Sequence, residues 1–597
     1  MTEPIRIANC SGFYGDRLSA AVEMVEGGPI DVLTGDWLAE LTMLILARSK
    51  AKRADGGYAG TFVKQMEQVM GTCLDKGIRV VSNAGGLDPE GCAEALVEVA
   101  NRLGLSPTVA YVGGDDLLSR LDELLAAGVD LPDLVTGEPL TNPGRFVSAN
   151  AYLGCWGIVE ALNQGADIVV TGRTTDAAIV CGPAAWHHGW ARDSWDELAG
   201  AVVAGHVIEC GTQATGGNYS FFTEVPGMDR VGFPWAEVAV DGSSTIGKHE
   251  NTGGQVSIGT VTSQLLYEIG SPAYLGPDVT ARFDSIQLDE VEPNRVRVHG
   301  VQGEPPPPNL KVSMNTMGGY RCDLGIALTG LEIEAKAALT EKAFWRAFPH
   351  EASDFESVES RIIRTDKTDP SSNEEAVAQW CLTLKDGDER KVGRDVFNAM
   401  TEMALATIPG FFSVRSSASK AFGVHRAGLI PANLVPQDVV VFKAGQLTSR
   451  TIVESIAPKG DVTFFPPPGP TVAAPSGPTV PVPLGRIVGS RSGDKGGDAN
   501  LGLFVRDDAA WRWLDDYLTV DRLRSLLPEV ADLTIERHRL PAIRSLNFMI
   551  RGLLGQGVAA SSRQDGQAKS LGEWVRARIV DMPSSLLDSG IQGSTNG

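Results

Sequence analysis

Residues 166–183, ADIVVTGRTTDAAIVCGP, constrain the fold of this chain more than any other stretch. Ile168, Val169 and Val170 form a short β-branched run, which reads as a buried strand. Thr171-Gly172 ends it, and Arg173 stands at its carboxyl end. Thr174 or Thr175 can then cap a helix, with Asp176 in the first turn, where the helix dipole favours a carboxylate. A strand, a polar turn and a helix in this order belong to an open α/β sheet. In such sheets ligands bind at the carboxyl edge, where turns and helix N-termini converge.

The same texture recurs upstream. Strands over 5–9, 31–35, 78–82 and 108–112 run into polar segments with glycine in or just before them. These segments are Cys10 to Asp16, Asp36-Trp37, Asn83-Ala84-Gly85-Gly86 and Gly113-Gly114-Asp115-Asp116. Helical patterns lie between them, so the spacing predicts a doubly wound, mostly parallel sheet. From about residue 205 to 334 glycine-rich polar segments and apolar/polar alternation predict a β-rich insertion, and residues 353–445 return to mixed α/β. Residues 457–484, APKGDVTFFPPPGPTVAAPSGPTVPVPL, are a Pro/Gly-rich linker whose composition argues against self-ordering. Residues 485–597 read as helices packed on an antiparallel sheet, a small α+β domain behind an α/β domain over 1–456.

With 43% hydrophobic and 21% charged residues, the 597-residue chain can bury a large core. Its formal net charge of -22 argues against nucleic acid or an anionic membrane as partner. The eight cysteines form no CxxC pair. The first residues, MTEPIRIANC, lack the pattern of a leader, and no apolar run approaches the ~20 residues that span a bilayer. A cytoplasmic protein is expected, and its size suggests a homo-oligomer.

Four groups of residues can carry chemistry. Asp36, Asn83, Asp115, Asp116, Arg173 and Asp176 share one sheet edge if the strands are parallel. Carboxylates there can serve as general acid and base or hold a divalent cation, with Arg173 for a substrate carboxylate or phosphate. The plainer reading is helix-start carboxylates paired with an arginine. The glycines of Ser82–Gly86 (Gly85 and Gly86) and Gly113-Gly114 can leave N–H groups free for an oxyanion, or simply make tight turns. His206 and Glu209, three apart, could face a metal together, but no third ligand stands at a diagnostic spacing, so no metal is assigned. Cys210 could be a nucleophile activated by His206 or His249, or a core thiol. Lys248, His249 and Glu250 beside Gly253-Gly254 form the densest acid/base candidate, against a solvated loop. Finally, Arg491, Asp494, Lys495, Asp498 and Asn500 surround three glycines, as an anion- or substrate-binding loop or as a solvated hairpin.

Jointly, Asp36-Trp37, SNAGG at 82–86, GGDD at 113–116, TGRTTDAA at 171–178, CGTQATGGN at 210–218, KHENTGG at 248–254 and SRSGDKGGDANLG at 490–502 resemble the acyclic terpene utilisation AtuA family. The resemblance covers nearly the whole chain and implies a ferredoxin-like C-terminal domain. It also implies a role in catabolism of branched isoprenoid acids, handled as CoA thioesters beside a biotin-dependent acyl-CoA carboxylase. It brings no catalytic residues with it. The expected function is therefore an enzyme acting on a branched acyl-CoA or hydroxyacyl-CoA, a carbon–carbon lyase or related acid/base catalyst. In it His249 with Glu250 or Asp116 would move the proton, and Arg173 and Lys495 would neutralise anionic groups. No cofactor beyond the CoA thioester substrate is expected. The alternatives are a non-catalytic partner of carboxylase subunits and a metal-dependent hydrolase.

Overall fold

The computed structural model describes residues 3–589. At its centre lie five parallel strands, β1 (Ile5–Asn9), β2 (Val32–Gly35), β3 (Arg79–Ser82), β4 (Thr108–Gly113) and β5 (Ile168–Thr171), side by side in the order β1-β2-β3-β5-β4. Their side chains alternate between two hydrophobic cores. Ile7, Val32, Val81, Ala110 and Val169 enter one, while Ala8, Leu33, Val80, Val109 and Val170 enter the other. A period of two with both faces buried is why these strands read as continuous apolar runs. Helices Gly60–Lys76 and Pro89–Leu103 furnish the second core; Trp156–Asn163, Ala178–His188 and Trp195–Ile208 furnish the first.

The expectation of a mostly parallel sheet is corrected at its margins. The sheet has eleven strands and is mixed. Beyond β1 it continues antiparallel through Pro234–Val238, Ser244–Lys248, Arg295–His299 and Gln287–Glu292. Beyond β4 it continues through Gln437–Lys443 and Gln446–Val453, also antiparallel. Parallel neighbours need crossover helices, whereas tight turns such as Ala239–Ser243 can build only antiparallel pairs. The glycine-rich texture at 205 also misled: Gly205 and His206 lie in the last turns of helix Trp195–Ile208. A Cβ on Gly205 would sit 2.8 Å from the Ala177 backbone, so that glycine serves close helix packing rather than a turn.

By its internal contacts the described chain falls into two compact units. One unit holds the residues up to Asn315, His425–Val558 and those from Gln567; the other holds Thr316–Val424 and Ala559–Gly566. The second unit pairs Ser357–Ile363 with Val377–Asp386 and Val377–Asp386 with Tyr320–Thr329, all antiparallel, around Phe344, Phe348 and Trp380.

Within the first unit, Gly489–Lys495, Asp498–Phe504, Ser545–Ile550 and Ile535–Leu540 form a four-stranded antiparallel sheet in that spatial order. Helices Asp508–Tyr517 and Leu571–Ala577 cover it around Trp511 and Phe548. Residues 457–478 contain no helix or strand, yet Phe464 lies 3.8 Å from the Arg282 guanidinium and Gln302 Nε2 donates to Phe465 O at 3.1 Å. Thr479–Pro483, expected to be linker, instead pairs with Ile579–Pro583. No helix among the described residues is long and apolar enough to cross a membrane.

Candidate functional site

The carboxyl ends of β2, β3 and β5 converge. Asp36, one residue past β2, accepts from Asn83 Nδ2 at 2.5 Å, and Asn83 Oδ1 in turn accepts from Trp37 N at 2.8 Å. Burial, reinforced by the Asp176 carboxylate, holds the Asp36 carboxyl well above its ordinary range. Arg173, 2% exposed, donates through Nη1 to Asp176 Oδ1 at 2.6 Å and lies 4.1 Å over the Tyr152 ring. Burial opposes its charge, but Asp176, Tyr152 and Asp36 hold that charge firmly in place. Asp115 accepts from Arg173 N and from Asn150 Nδ2, each at 2.8 Å, and so fixes the backbone at the end of β5. Burial pushes its carboxyl up to about 7 against these hydrogen bonds.

The residues after helix Trp195–Ile208 meet this edge. Asn9, at the end of β1, donates to Glu209 O at 3.2 Å, and a Cβ on Gly12 would meet the Cys210 backbone at 2.5 Å. The i, i+3 spacing does bring His206 and Glu209 together, with Nδ1 3.2 Å from Oε1. Burial pushes His206 down to about 4, so the ring is neutral at neutral pH. Burial, Asp176 and Glu268 raise Glu209 well above its ordinary value. Burial and Glu209 raise the Cys210 thiol, which disfavours the thiolate a nucleophile needs. Glu268 is likewise raised by burial, and Tyr274 by burial and Glu209. Together Asp36, Asp176, Glu209, Glu268, Arg173, His206 and Cys210 form one acid-rich centre. Buried atoms without a hydrogen-bond partner here include Glu209 Oε2, Arg173 Nε, both ring nitrogens of His206 and, beside them, Gln264 Oε1.

The predicted residues divide. Asp36, Asn83, Asp115, Arg173, Asp176 and Cys210 are gathered at this edge. Asp116 is exposed, accepts from Leu118 N at 2.9 Å and is bridged to Asn150, next to Asp115 rather than inside the buried centre. The Ser82–Gly86 turn uses its own donors: Ala84 N binds Ser82 Oγ and Gly86 N binds Asn83 O. Gly85 packs on Thr171 and Pro89, and Gly86 takes φ 54°, so both serve the turn.

Lys248, His249 and Glu250 make no described contact with the centre. Lys248 Nζ donates to Thr252 O at 2.7 Å, and Glu250 is exposed. His249 Nε2 donates to Met24 O at 3.0 Å, and its ring rests on Gly27 and Gly28, which leave it that room for want of a Cβ.

The 491–500 segment is a hairpin rather than a loop. Arg491 bonds Gln213 and lies 4.1 Å over Tyr267, while Lys495 Nζ donates to Glu268 O at 2.8 Å. Asn500 accepts from Glu268 N at 2.9 Å. Asp494 is half-buried in the same hairpin, and Asp498 bonds Arg551 and Gly552 inside the small sheet. Sequence reasoning missed Asn9, Gln264, Glu268, Tyr274 and Asn547. Glu268 stands in LLYEIGSP, where no spacing marks it; only the turn signal Gly270-Ser271-Pro272 stands nearby. Among the described residues no group of three or more His, Cys, Asp or Glu is arranged to hold a metal ion.

Comparison with known proteins places this geometry in a family. Residues 482–581 match the AtuA ferredoxin-like domain, which agrees with the four-stranded antiparallel sheet described above. No curated protein and no solved structure matches the chain. Residues 5–441, which carry every strand of the parallel core and all of the centre but its C-terminal hairpin, match the acyclic terpene utilisation family protein AtuA. The chain therefore belongs to the acyclic terpene utilisation AtuA family.

Proposed function

We propose that this chain is an enzyme of acyclic terpene utilisation that performs acid–base chemistry on a branched acyl-CoA or its hydroxyacyl derivative, ending in carbon–carbon cleavage. One observation carries the reading. Carboxyls whose surroundings hold them towards the protonated form, Asp36 and Glu209, share one centre with a fixed buried cation, Arg173, and Glu209 keeps an oxygen without a partner. A carboxyl held towards the protonated form can donate a proton as a general acid, and a fixed cation beside it can stabilise the anion formed.

Cleavage of a β-hydroxyacyl thioester uses both roles. A carboxylate takes the hydroxyl proton and the oxygen closes a carbonyl. The carbon–carbon bond then breaks, with its electron pair passing to the thioester α-carbon. A protonated carboxyl returns a proton to that carbon, and Arg173 stabilises the enolate oxygen in between. A thermal-shift screen of the full chain against CoA, branched acyl-CoAs and their hydroxy derivatives tests ligand class, since a ligand of the folded state raises its stability. In the turnover assay Glu209→Gln should keep the shift and lose roughly 100-fold or more of the rate. Absence of any shift or turnover, with carboxylase subunits recovered in a pull-down, would replace this reading by a scaffolding role.

A further inference from the structure

The hairpin of the C-terminal sheet holds one turn of the α/β part, Tyr267–Gly270, through its side chains. Asn500, 0% exposed, accepts the Glu268 N–H through Oδ1 and bonds Asn547 through Nδ2. Asn547, also buried, donates to Gly270 O at 2.6 Å and to Ile269 O at 3.2 Å. Lys495 Nζ takes the Glu268 carbonyl. The backbone approach is close enough that a Cβ on Gly493 would lie 2.6 Å from the Tyr267 ring and one on Gly502 would lie 2.5 Å from Leu266. Glu268 itself has φ 55°, a left-handed conformation that L side chains adopt at a cost and that persists only where the surroundings impose it. The N–H, the carbonyl and the next two carbonyls of this turn are therefore all held from the C-terminal sheet. Beside it stand the unpartnered Gln264 Oε1 and Glu209 Oε2.

We infer that the C-terminal domain is part of the catalytic centre: Asn500 and Asn547 are positioning residues that impose the left-handed turn, and the turn presents Glu268 as a catalytic carboxyl facing Glu209 and Cys210. Its consequence for turnover rests on the acid–base reading above; the placement of Glu268 does not. This gives the SRSGDKGGDANLG segment a role that neither anion binding nor a solvated hairpin explains. Its glycines admit the turn, and its lysine and asparagine hold it.

The thiol of Cys210 supplies a readout that needs no substrate. Cys210 is half-buried, and the other seven cysteines are buried. A carboxylate beside a thiol disfavours the thiolate, so Glu268 slows alkylation of Cys210. The experiment is the rate of iodoacetamide labelling of the full chain from pH 7 to 10, with sites counted by intact mass. Glu268→Gln should shift the Cys210 profile to lower pH and raise the labelling rate up to about tenfold, one pKa unit's worth of thiolate. Asn500→Ala should shift it in the same direction, and the double variant should add nothing to Glu268→Gln. Gly493→Ala, which disturbs the turn without removing a polar group, should do the same if Asn500→Ala fails to fold.

Where a branched hydroxyacyl-CoA is turned over, Asn500→Ala should lower kcat with KM unchanged. An unshifted profile in Glu268→Gln would remove Glu268 from the centre. A shift in Glu268→Gln with none in Asn500→Ala or Gly493→Ala would overturn the positioning role. Failure of every CoA ester to react would sink the proposed activity while leaving these labelling results to decide the placement.

Discussion

Two segments of this chain are alike in composition and opposite in structure: the strand-end centre around Asp36 and Arg173, and the KHENTGG segment at 248–254. Both are polar, rich in ionisable groups and flanked by glycine. The second satisfies itself almost within its own length. Lys248 donates to Thr252 O, Thr252 Oγ1 to His249 O, and His249 to the nearby helix at Met24 O. The centre is assembled from residues as far apart as Asn9 and Asn500, and after every available partner is used it keeps buried polar atoms unsatisfied. A local turn chooses its own partners. A place where distant elements meet does not satisfy every group, and groups left over beside shifted carboxyls are candidates for binding a ligand.

The largest expected break of this contrast is Arg173→Ala. It removes a cation that is 3% exposed while leaving Asp176, 30% exposed, and the raised carboxyls in place. Losing a charge-assisted hydrogen bond and the packing of the buried side chain costs about 1.5–3 kcal/mol. Urea unfolding should therefore show a clearly lower midpoint, and the acyl-CoA thermal shift should vanish. Retention of both stability and shift would leave the centre no different from the KHENTGG loop.

Asp115→Asn sharpens the same contrast through pH. The folded-state pKa of Asp115, about 7, lies above its ordinary 3.8. The folded state therefore holds the proton more tightly, and the stability this contributes is complete below about pH 4 and lost as pH rises through 7. His206 acts in the opposite sense: pushed down to about 4 from 6.5, it contributes stability above 6.5 that is lost as pH falls through 4. In Asp115→Asn the falling limb near pH 7 should disappear while the rising limb from His206 remains. Unfolding free energies measured from pH 4 to 8 on both proteins decide it: the two terms largely offset each other in the wild type, so a wild-type-minus-variant difference that does not fall between pH 4 and 7 would remove Asp115 as a contributor.

These differences mark what the sequence could reveal. The parallel core was legible because each strand is an apolar run with a period of two and both faces buried, and because strand, polar turn and helix repeat at short range. The edge residues Asp36, Asn83, Arg173 and Asp176 followed from that register. The antiparallel margins were not legible, because the hairpin strands depend on which edge their partner occupies. Helix Trp195–Ile208 was hidden by glycines that serve packing, and Glu268 by its neighbours, since what makes it special is a backbone angle imposed by Asn500 more than two hundred residues away. Lys248, His249 and Glu250 carry the right chemistry, and only three-dimensional placement separates them from the centre.

On the loop side, His249→Ala should cost about 1–2 kcal/mol, from one hydrogen bond to Met24 O and the ring's packing on Gly27 and Gly28. It should leave acyl-CoA binding untouched. A lost thermal shift at unchanged stability would move His249 back into the site.

The smallest effect expected is at Glu250, and it bears directly on the comparison. Glu250 is exposed, and it precedes Asn251, which turns the chain at φ 60°. An exposed carboxylate away from any buried partner contributes little to stability, so Glu250→Gln should change the unfolding free energy by less than about 0.5 kcal/mol. An acid or base must reach the proton it moves, and the neighbouring His249 already spends Nε2 on Met24 O. Turnover and its pH profile should therefore match the wild type, while Glu209→Gln should lose roughly 100-fold or more of the rate under the same conditions. Were Glu250→Gln to lose tenfold or more in kcat with stability intact, the loop would belong to the reaction, and self-satisfied hydrogen bonding would no longer distinguish a structural turn from a site.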